Sequence, residues 1–244
     1  MNGWGSSRRG EEAVELLDAG HGSEEEIAEC YHQLGLVNRW LGGFRATFEP
    51  LERWTGASGP ATILDVAGGD GDYAEQFLAR ARSQGTEARV YMLDWHPVTI
   101  GLAQDRRLNG LHSIRGDALA LPFEDRSFDL VHSAAFFHHL SIARACDLLA
   151  EMCRVTQRLV IVNDLVRSRV AQASIWALTR GLSGNRLIRH DGPLSVSKAF
   201  VPRELEAIAR AVEHRTSGEF RWHLTRTFPY RMTLVGARLS GVDR

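Results

Sequence analysis

The stretch Ile63-Leu64-Asp65-Val66-Ala67-Gly68-Gly69-Asp70-Gly71-Asp72-Tyr73 decides how the rest of the chain is read. A short apolar run stops at a glycine-rich turn and resumes in a helical pattern, so a buried strand is expected to feed a tight turn and then a helix. Such a turn brings bare backbone against a ligand. Gly69, Gly71 and Ala74 also satisfy the dinucleotide spacing G-x-G-x-x-A, so the glycines alone do not choose the ligand. Charge separates the readings. A dinucleotide places an anionic pyrophosphate at this turn, where Asp65, Asp70 and Asp72 would surround it with carboxylates. A ligand that presents cationic groups is favoured there, although an outward-facing Asp72 would weaken the point.

Further along, Asp94 ends the apolar run Val90-Tyr91-Met92-Leu93, where a carboxylate can accept hydrogen bonds from both hydroxyls of a ribose. Trp95 and His96 are placed to flank an adenine, and Asp117 in Arg115-Gly116-Asp117-Ala118 is placed to accept from its amino group. A hydrogen bond to a charged group of this kind is worth about 1.5–3 kcal/mol. A single aspartate after a strand is more often a cap or turn former. Three at successive strand ends, with the acidic glycine turn, point to S-adenosylmethionine, whose ammonium and sulfonium are cations. The expected cofactor contacts are Asp65, Ala67, Gly68, Gly69, Asp70, Gly71, Asp94, Trp95, Asp117, Ala118 and Ser133. Arg39 and Arg45 straddle the pair Gly42-Gly43, and one of them, Arg45 first, is the expected clamp for the cofactor carboxylate.

From Ala61 onward short apolar runs alternate with amphipathic segments, the pattern of a parallel sheet covered on both faces. Strands are expected at 62–66, 89–93, 111–115, 128–133 and 158–162, with helices near 72–83, 97–108, 142–155, 167–181 and 202–212. Two further strands, 213–222 and 228–239, are close enough in sequence to pair antiparallel. The polar segment 183–197 reads as an unusually long connection. Before this domain, residues 1–60 read as a helical lid: segments 11–17, 23–34 and 39–54, the last interrupted at Gly42-Gly43, and a turn at 56–60. The division is thus a lid over 1–60 and an α/β domain over 61–244 with an insertion at about 165–200.

Of 244 residues, 44% are apolar and 24% charged, and the net charge of −1 supplies no basic field for gathering nucleic acid or anionic lipid. Cys30, Cys146 and Cys153 show no metal or redox spacing and are expected to be free thiols. The N-terminus lacks the apolar run of a signal peptide and no stretch reaches membrane-spanning length, so a cytoplasmic protein is expected. The leader could cap its own site or exchange with a partner subunit, which leaves a homodimer open.

The run Leu64 to Asp72 resembles the first motif of class I S-adenosylmethionine-dependent methyltransferases, and Gly116-Asp117-Ala118, Leu121-Pro122-Phe123 and Ser127-Phe128-Asp129-Leu130-Val131 resemble the later ones. It is similar in particular to the ubiquinone and menaquinone biosynthesis methyltransferases, which also carry alanine at the position of Ala67. The resemblance covers roughly residues 61–162. It implies a doubly wound, Rossmann-like seven-stranded sheet whose last strand is antiparallel. A looser resemblance to small phenolic or quinone-type natural-product methyltransferases runs through Asn38-Arg39, Asn163-Asp164-Leu165 and His190-Asp191-Gly192-Pro193-Leu194-Ser195.

Methyl transfer from a sulfonium is an in-line displacement that owes much to positioning. A phenolic acceptor with a pKa near 10 would profit from a base, and histidine is the usual choice. His139, just past the fourth strand, is the first candidate, against a capping or packing role of about equal weight. His190 beside Asp191 is the second, and Asp164 at the end of the fifth strand could orient either the acceptor or the histidine. No metal site is supported: the carboxylates for a hard-cation site are not evident, and His138-His139 lacks helical zinc spacing. The expected activity is methylation of a small aromatic acceptor at oxygen. The alternatives are C-methylation of a quinone precursor, an NAD-dependent oxidoreductase, and a non-catalytic cofactor-binding module.

Overall fold

The computed structural model describes residues 9–10, 13–55 and 59–239, so the expected starts of the leader helix at residue 11 and of the turn at residue 56 lie outside the described residues. One sheet contains β1 (Thr62–Val66), β2 (Arg89–Asp94), β3 (Leu111–Arg115), β4 (Phe128–Ala134), β5 (Thr156–Leu165), β6 (Phe220–Thr227) and β7 (Arg231–Arg238). Their order is β3-β2-β1-β4-β5-β7-β6. The first five run parallel, and β7 inserts antiparallel between β5 and β6. The strand order reverses between β1 and β4, which opens a crevice at the carboxyl ends of those strands.

Alternation along the strands sorts side chains onto two apolar faces. Leu64, Val66, Val131, Val160 and Val162 pack with α5 (Ile142–Val155) and α8 (Pro202–Arg215). Ile63, Val90, Leu130 and Ile161 pack with Phe48 and Leu51 of α2 (Gly43–Thr55) and Phe77 and Leu78 of α3 (Asp72–Ser83). Asp65 and His132 are register partners and belong to the α2/α3 face, whereas Asp164, in step with Val162, belongs to the α5/α8 face. The remaining crossover helix, α4 (Pro97–Asp105), is capped by the His96 side chain, which accepts from the Val98 amide.

The leader forms α1 (Glu24–Trp40), opened by a Ser23–Glu26 capping box, and α2, with the break at Leu41-Gly42. The helix expected at 11–17 is replaced over the described residues by turns, because Asp191 accepts from the amides of Leu16 and Leu17 and fixes them outside a helix. The long connection expected at 183–197 is instead a helix: α6 (Arg169–Leu182) is followed by α7 (Arg186–Lys198). Asn185 caps α7 through the amides of Leu187 and Ile188. Leu187 and Ile188 pack on Ile27 and Cys30 of α1, and this burial outweighs the about 3 kcal/mol that an interior proline, here Pro193, costs. The expected strand 213–222 starts only at Phe220, since α8 runs on to Arg215. All three cysteines are free and buried, and among the described residues no helix is long and apolar enough to cross a membrane.

Candidate active site

At the end of β1 the chain turns through Ala67 (φ 56°) and Gly69 (φ 59°), left-handed conformations that favour glycine. A side chain at Gly68 would put its Cβ 2.4 Å from Met92 Cγ and 2.8 Å from Asp65 Oδ2. One at Gly69 would stand 2.7 Å from the ring of Tyr31, so α1 lies directly over the turn. Asp94 ties the turn to β2: its Oδ2 accepts from the Gly69 amide at 2.9 Å, and its Oδ1 from the His96 amide and the Thr99 hydroxyl. Trp95, Arg115, Gly116 and Asp117 line an open cleft of about 570 Å³ beside it. Asp117 Oδ1 accepts from the Leu119 amide, Ala118 is buried in the core, and the buried Ser133 hydroxyl has no hydrogen-bond partner.

The three aspartates of the turn have different fates. Asp70 is ion-paired with Arg106, which also donates to the Asp70 carbonyl and to Glu75. Asp72 faces α1 rather than outward: its Oδ2 accepts from Asn38 Nδ2 at 2.9 Å, and burial, with the Asp70 charge, pushes its carboxyl up to about 7. Asp65 is almost fully buried, with Oδ1 2.7 Å from His132 Nδ1 and Oδ2 left without a partner beside Gly68. That orphaned oxygen, a turn closed to side chains, and the Asp94–Trp95–Asp117 cleft fit a cofactor with a cationic amino-acid end and an adenosine end. Arg45 does not serve the site. Half-exposed at the start of α2, it donates to the Phe228 carbonyl at 2.7 Å and lies 3.8 Å from Glu49.

A second cluster stands past the ends of β4 and β5. The 3₁₀ turn Phe137–His139 buries His138 and leaves His139 less covered. Asp164 Oδ1 lies 2.7 Å from His138 Nδ1, and its Oδ2 accepts from the His138 amide at 2.8 Å. Burial opposes the Asp164 charge, but His138 and these bonds prevail and hold its pKa below the ordinary value. Asp164, expected to face either the acceptor or a histidine, is thus bonded to His138 and not to His139. His139 Nδ1 is bonded to Asp18 at 2.6 Å; burial works against its charge, yet Asp18 and Glu15 raise its pKa, which favours the protonated ring and leaves less of the neutral form to accept a proton. His190 is half-exposed on α7 and bonds Asp191, whose carboxylate is already held by the Leu16 and Leu17 amides, so that pair is a structural tie.

Two other members, Glu15 and Lys198, carry no local signal in the sequence. Glu15 Oε1, buried, lies 3.8 Å from His138 Nε2, 3.9 Å from His139 Nδ1 and 3.2 Å from the buried Lys198 ammonium. Glu15, His138 and His139 could gather round a cation. Lys198 already neutralises Glu15, however, and Asp18 occupies His139 Nδ1, so the arrangement is an ion-pair network that pins residues 15–18 over the 3₁₀ turn.

Residues 63–158 match a family described as a methyltransferase domain. The chain is 40% identical over 110 residues to a ubiquinone/menaquinone biosynthesis C-methyltransferase UbiE of Dinoroseobacter shibae, covering 42% of this chain and 40% of that protein. It is 35% identical over 148 residues to a demethylmenaquinone methyltransferase of Deinococcus radiodurans, covering 57% of each. These matches span about half the length of the curated relatives or less. Among solved structures, a SAM-dependent methyltransferase from Aquifex aeolicus aligns over 90% of this chain and all of that chain with a TM-score of 0.62 at 15% identity. The plantazolicin methyltransferase BpumL, in complex with SAH, aligns over 88% of this chain and 90% of its own with a TM-score of 0.66 at 12% identity. Residues 63–158 thus match a methyltransferase domain family, and the chain shares the Rossmann-like fold of the S-adenosylmethionine-dependent methyltransferases it aligns with.

Proposed function

We propose that the protein transfers a methyl group from S-adenosylmethionine to a small hydroxylated aromatic acceptor of the quinol type, at a ring carbon. The observation that carries this reading is the buried His138–Asp164 pair at the ligand end of the parallel sheet, where His138 Nε2 is turned away from its aspartate. S-adenosylmethionine, when bound, supplies an electrophilic methyl group on a sulfonium. The chain's own residues prepare the acceptor. His138 Nε2 takes the proton of the acceptor hydroxyl, and Asp164, which holds the imidazole by Nδ1, stabilises the imidazolium that results. Within the leader, α1 acts as the lid: it sets Tyr31 over the glycine turn and excludes water.

Removing a phenolic proton enriches the ring carbons as well as the oxygen, so the same base serves either product. At carbon, the methylated ring then loses its own C–H proton to solvent while the His138 imidazolium returns its proton to the oxygen, restoring the aromatic ring with S-adenosylhomocysteine as leaving group. The relative named as a ubiquinone/menaquinone biosynthesis C-methyltransferase favours carbon. Methylation at oxygen, the expectation from sequence, becomes the second reading. The test is incubation with S-adenosylmethionine labelled in its methyl group and a panel of reduced naphthoquinols, benzoquinols and simple phenols, with the product resolved by carbon NMR. A carbon-bound label supports the proposal and an oxygen-bound label supports the second reading. Methylation of none of the panel would overturn both.

A further inference from the structure

His132 is a histidine in the middle of a sheet, used by neither the acceptor base nor the expected cofactor contacts. Its side chain is fully buried on the α2/α3 face, and both ring nitrogens are engaged. Nδ1 lies 2.7 Å from Asp65 Oδ1 and Nε2 lies 3.0 Å from the Thr47 hydroxyl of α2. Thr47 Oγ1 accepts from Asn163 Nδ2 at 2.9 Å, and the same amide donates to the Gly43 carbonyl and reaches Tyr73 Oη.

Asn163 Nδ2 has two hydrogens: the Gly43 carbonyl, which can only accept, takes one, and the second lies between Thr47 Oγ1 and Tyr73 Oη. With that hydrogen on Thr47 Oγ1, the Thr47 hydroxyl has its own proton free to give to His132 Nε2. His132 Nδ1 then carries the hydrogen that it donates to Asp65 Oδ1. A neutral imidazole in this arrangement satisfies one carboxylate oxygen without neutralising the charge. Among the described residues no lysine or arginine is ion-paired with Asp65, and Oδ2 has no hydrogen-bond partner beneath the glycine turn. A buried carboxylate left in that state is costly unless a cation arrives to face it.

We propose that His132, held by Thr47 and Asn163, is a positioning residue that fixes the Asp65 carboxylate so that Oδ2 receives the ammonium of the cofactor's amino-acid end. The inference rests on the cofactor and not on the acceptor, so it stands or falls separately from the function proposed above. It also ties cofactor affinity to the seating of α2, because Thr47 and the Gly43 carbonyl both belong to that helix.

The test is calorimetric titration of the full chain with two ligands: S-adenosylhomocysteine, which carries the ammonium, and 5′-methylthioadenosine, which lacks the amino-acid end. His132→Leu is expected to weaken S-adenosylhomocysteine about tenfold, equivalent to about 1.4 kcal/mol, and methylthioadenosine less than about twofold. His132→Asn, which keeps a donor near the Nδ1 position, should restore most of the loss. Thr47→Val, a nearly isosteric change that keeps the test open if His132→Leu does not fold, should show the same selectivity at about threefold. Equal weakening of both ligands in these variants would mark a purely structural role and overturn the proposal, as would unchanged binding of S-adenosylhomocysteine.

Discussion

Two histidine–aspartate pairs sit on opposite faces of one sheet with the same local geometry: Asp65–His132 and Asp164–His138, each 2.7 Å between Oδ1 and Nδ1 and each buried. They differ in what the second nitrogen faces. His132 Nε2 meets the Thr47 hydroxyl and is closed off, whereas His138 Nε2 meets the Glu15 carboxylate across 3.8 Å, too far for a direct hydrogen bond. In the first pair the aspartate keeps a spare oxygen, so the carboxylate is the working group and the imidazole supports it. In the second, both Asp164 oxygens are bonded, by His138 and by the His138 and Leu165 amides, so the imidazole is the working group. The same two residue types thus take opposite roles, decided by which partner still has an unused atom.

The comparison is broken most sharply at His138. His138→Ala should lower kcat about 10²–10⁴-fold, the range expected for loss of a general base, while leaving S-adenosylhomocysteine affinity within about twofold. Steady-state kinetics on a methylated acceptor checks it, and unchanged turnover would remove the base from the account. Gly68→Ala tests the other pair from the turn side. Its Cβ would stand 2.8 Å from Asp65 Oδ2 and 2.4 Å from Met92 Cγ, so a loss of about 1–3 kcal/mol in stability, with weaker cofactor binding, is expected from chemical denaturation and calorimetry.

Asp72 sharpens the comparison by pH. Its carboxyl titrates at about 7 in the folded chain against an ordinary 3.8. The folded state therefore binds this proton more tightly, and stability falls as pH rises between those values. Asp72→Asn should raise the stability of the ligand-free protein by about 1 kcal/mol at pH 8, net of a weakened Asn38 bond, and the gain should vanish near pH 4. Thermal melts across that range check the sign; a gain that grows towards low pH would contradict it. The smallest effect is expected at His190: His190→Ala should leave kcat within about twofold, since its ring is half-exposed and its aspartate is committed to the Leu16 and Leu17 amides.

The parallel core and the glycine turn were legible because local patterns specify them: apolar runs of strand length, and glycines where the backbone turns left-handed. Ala67, at φ 56°, shares the left-handed turn without being glycine. The helix α7 was not legible because Asp191, Gly192, Pro193 and Ser195 have the chemistry of a loop, and only burial of Leu187, Ile188 and Val196 makes the segment helical. Asp94 and Asp117 were found as strand-end carboxylates, but the sharing of work among Asp65, Asp70 and Asp72 depends on Arg106, Asn38 and His132, which are distant in sequence. His132 reads locally as one more strand residue. Its meaning comes from the β1–β4 register, which sets it beside Asp65 across 67 positions. Glu15 and Lys198 were hidden for the same reason, since they meet through the docking of the N-terminal turns on α7.

The most direct test of this division of labour is one calorimetric comparison, the dissociation constant of S-adenosylhomocysteine for His138→Ala and for His132→Leu beside the unaltered protein. His138→Ala is expected to bind as the unaltered protein does and His132→Leu about tenfold more weakly. The reverse order, or an equal loss in both, would contradict it.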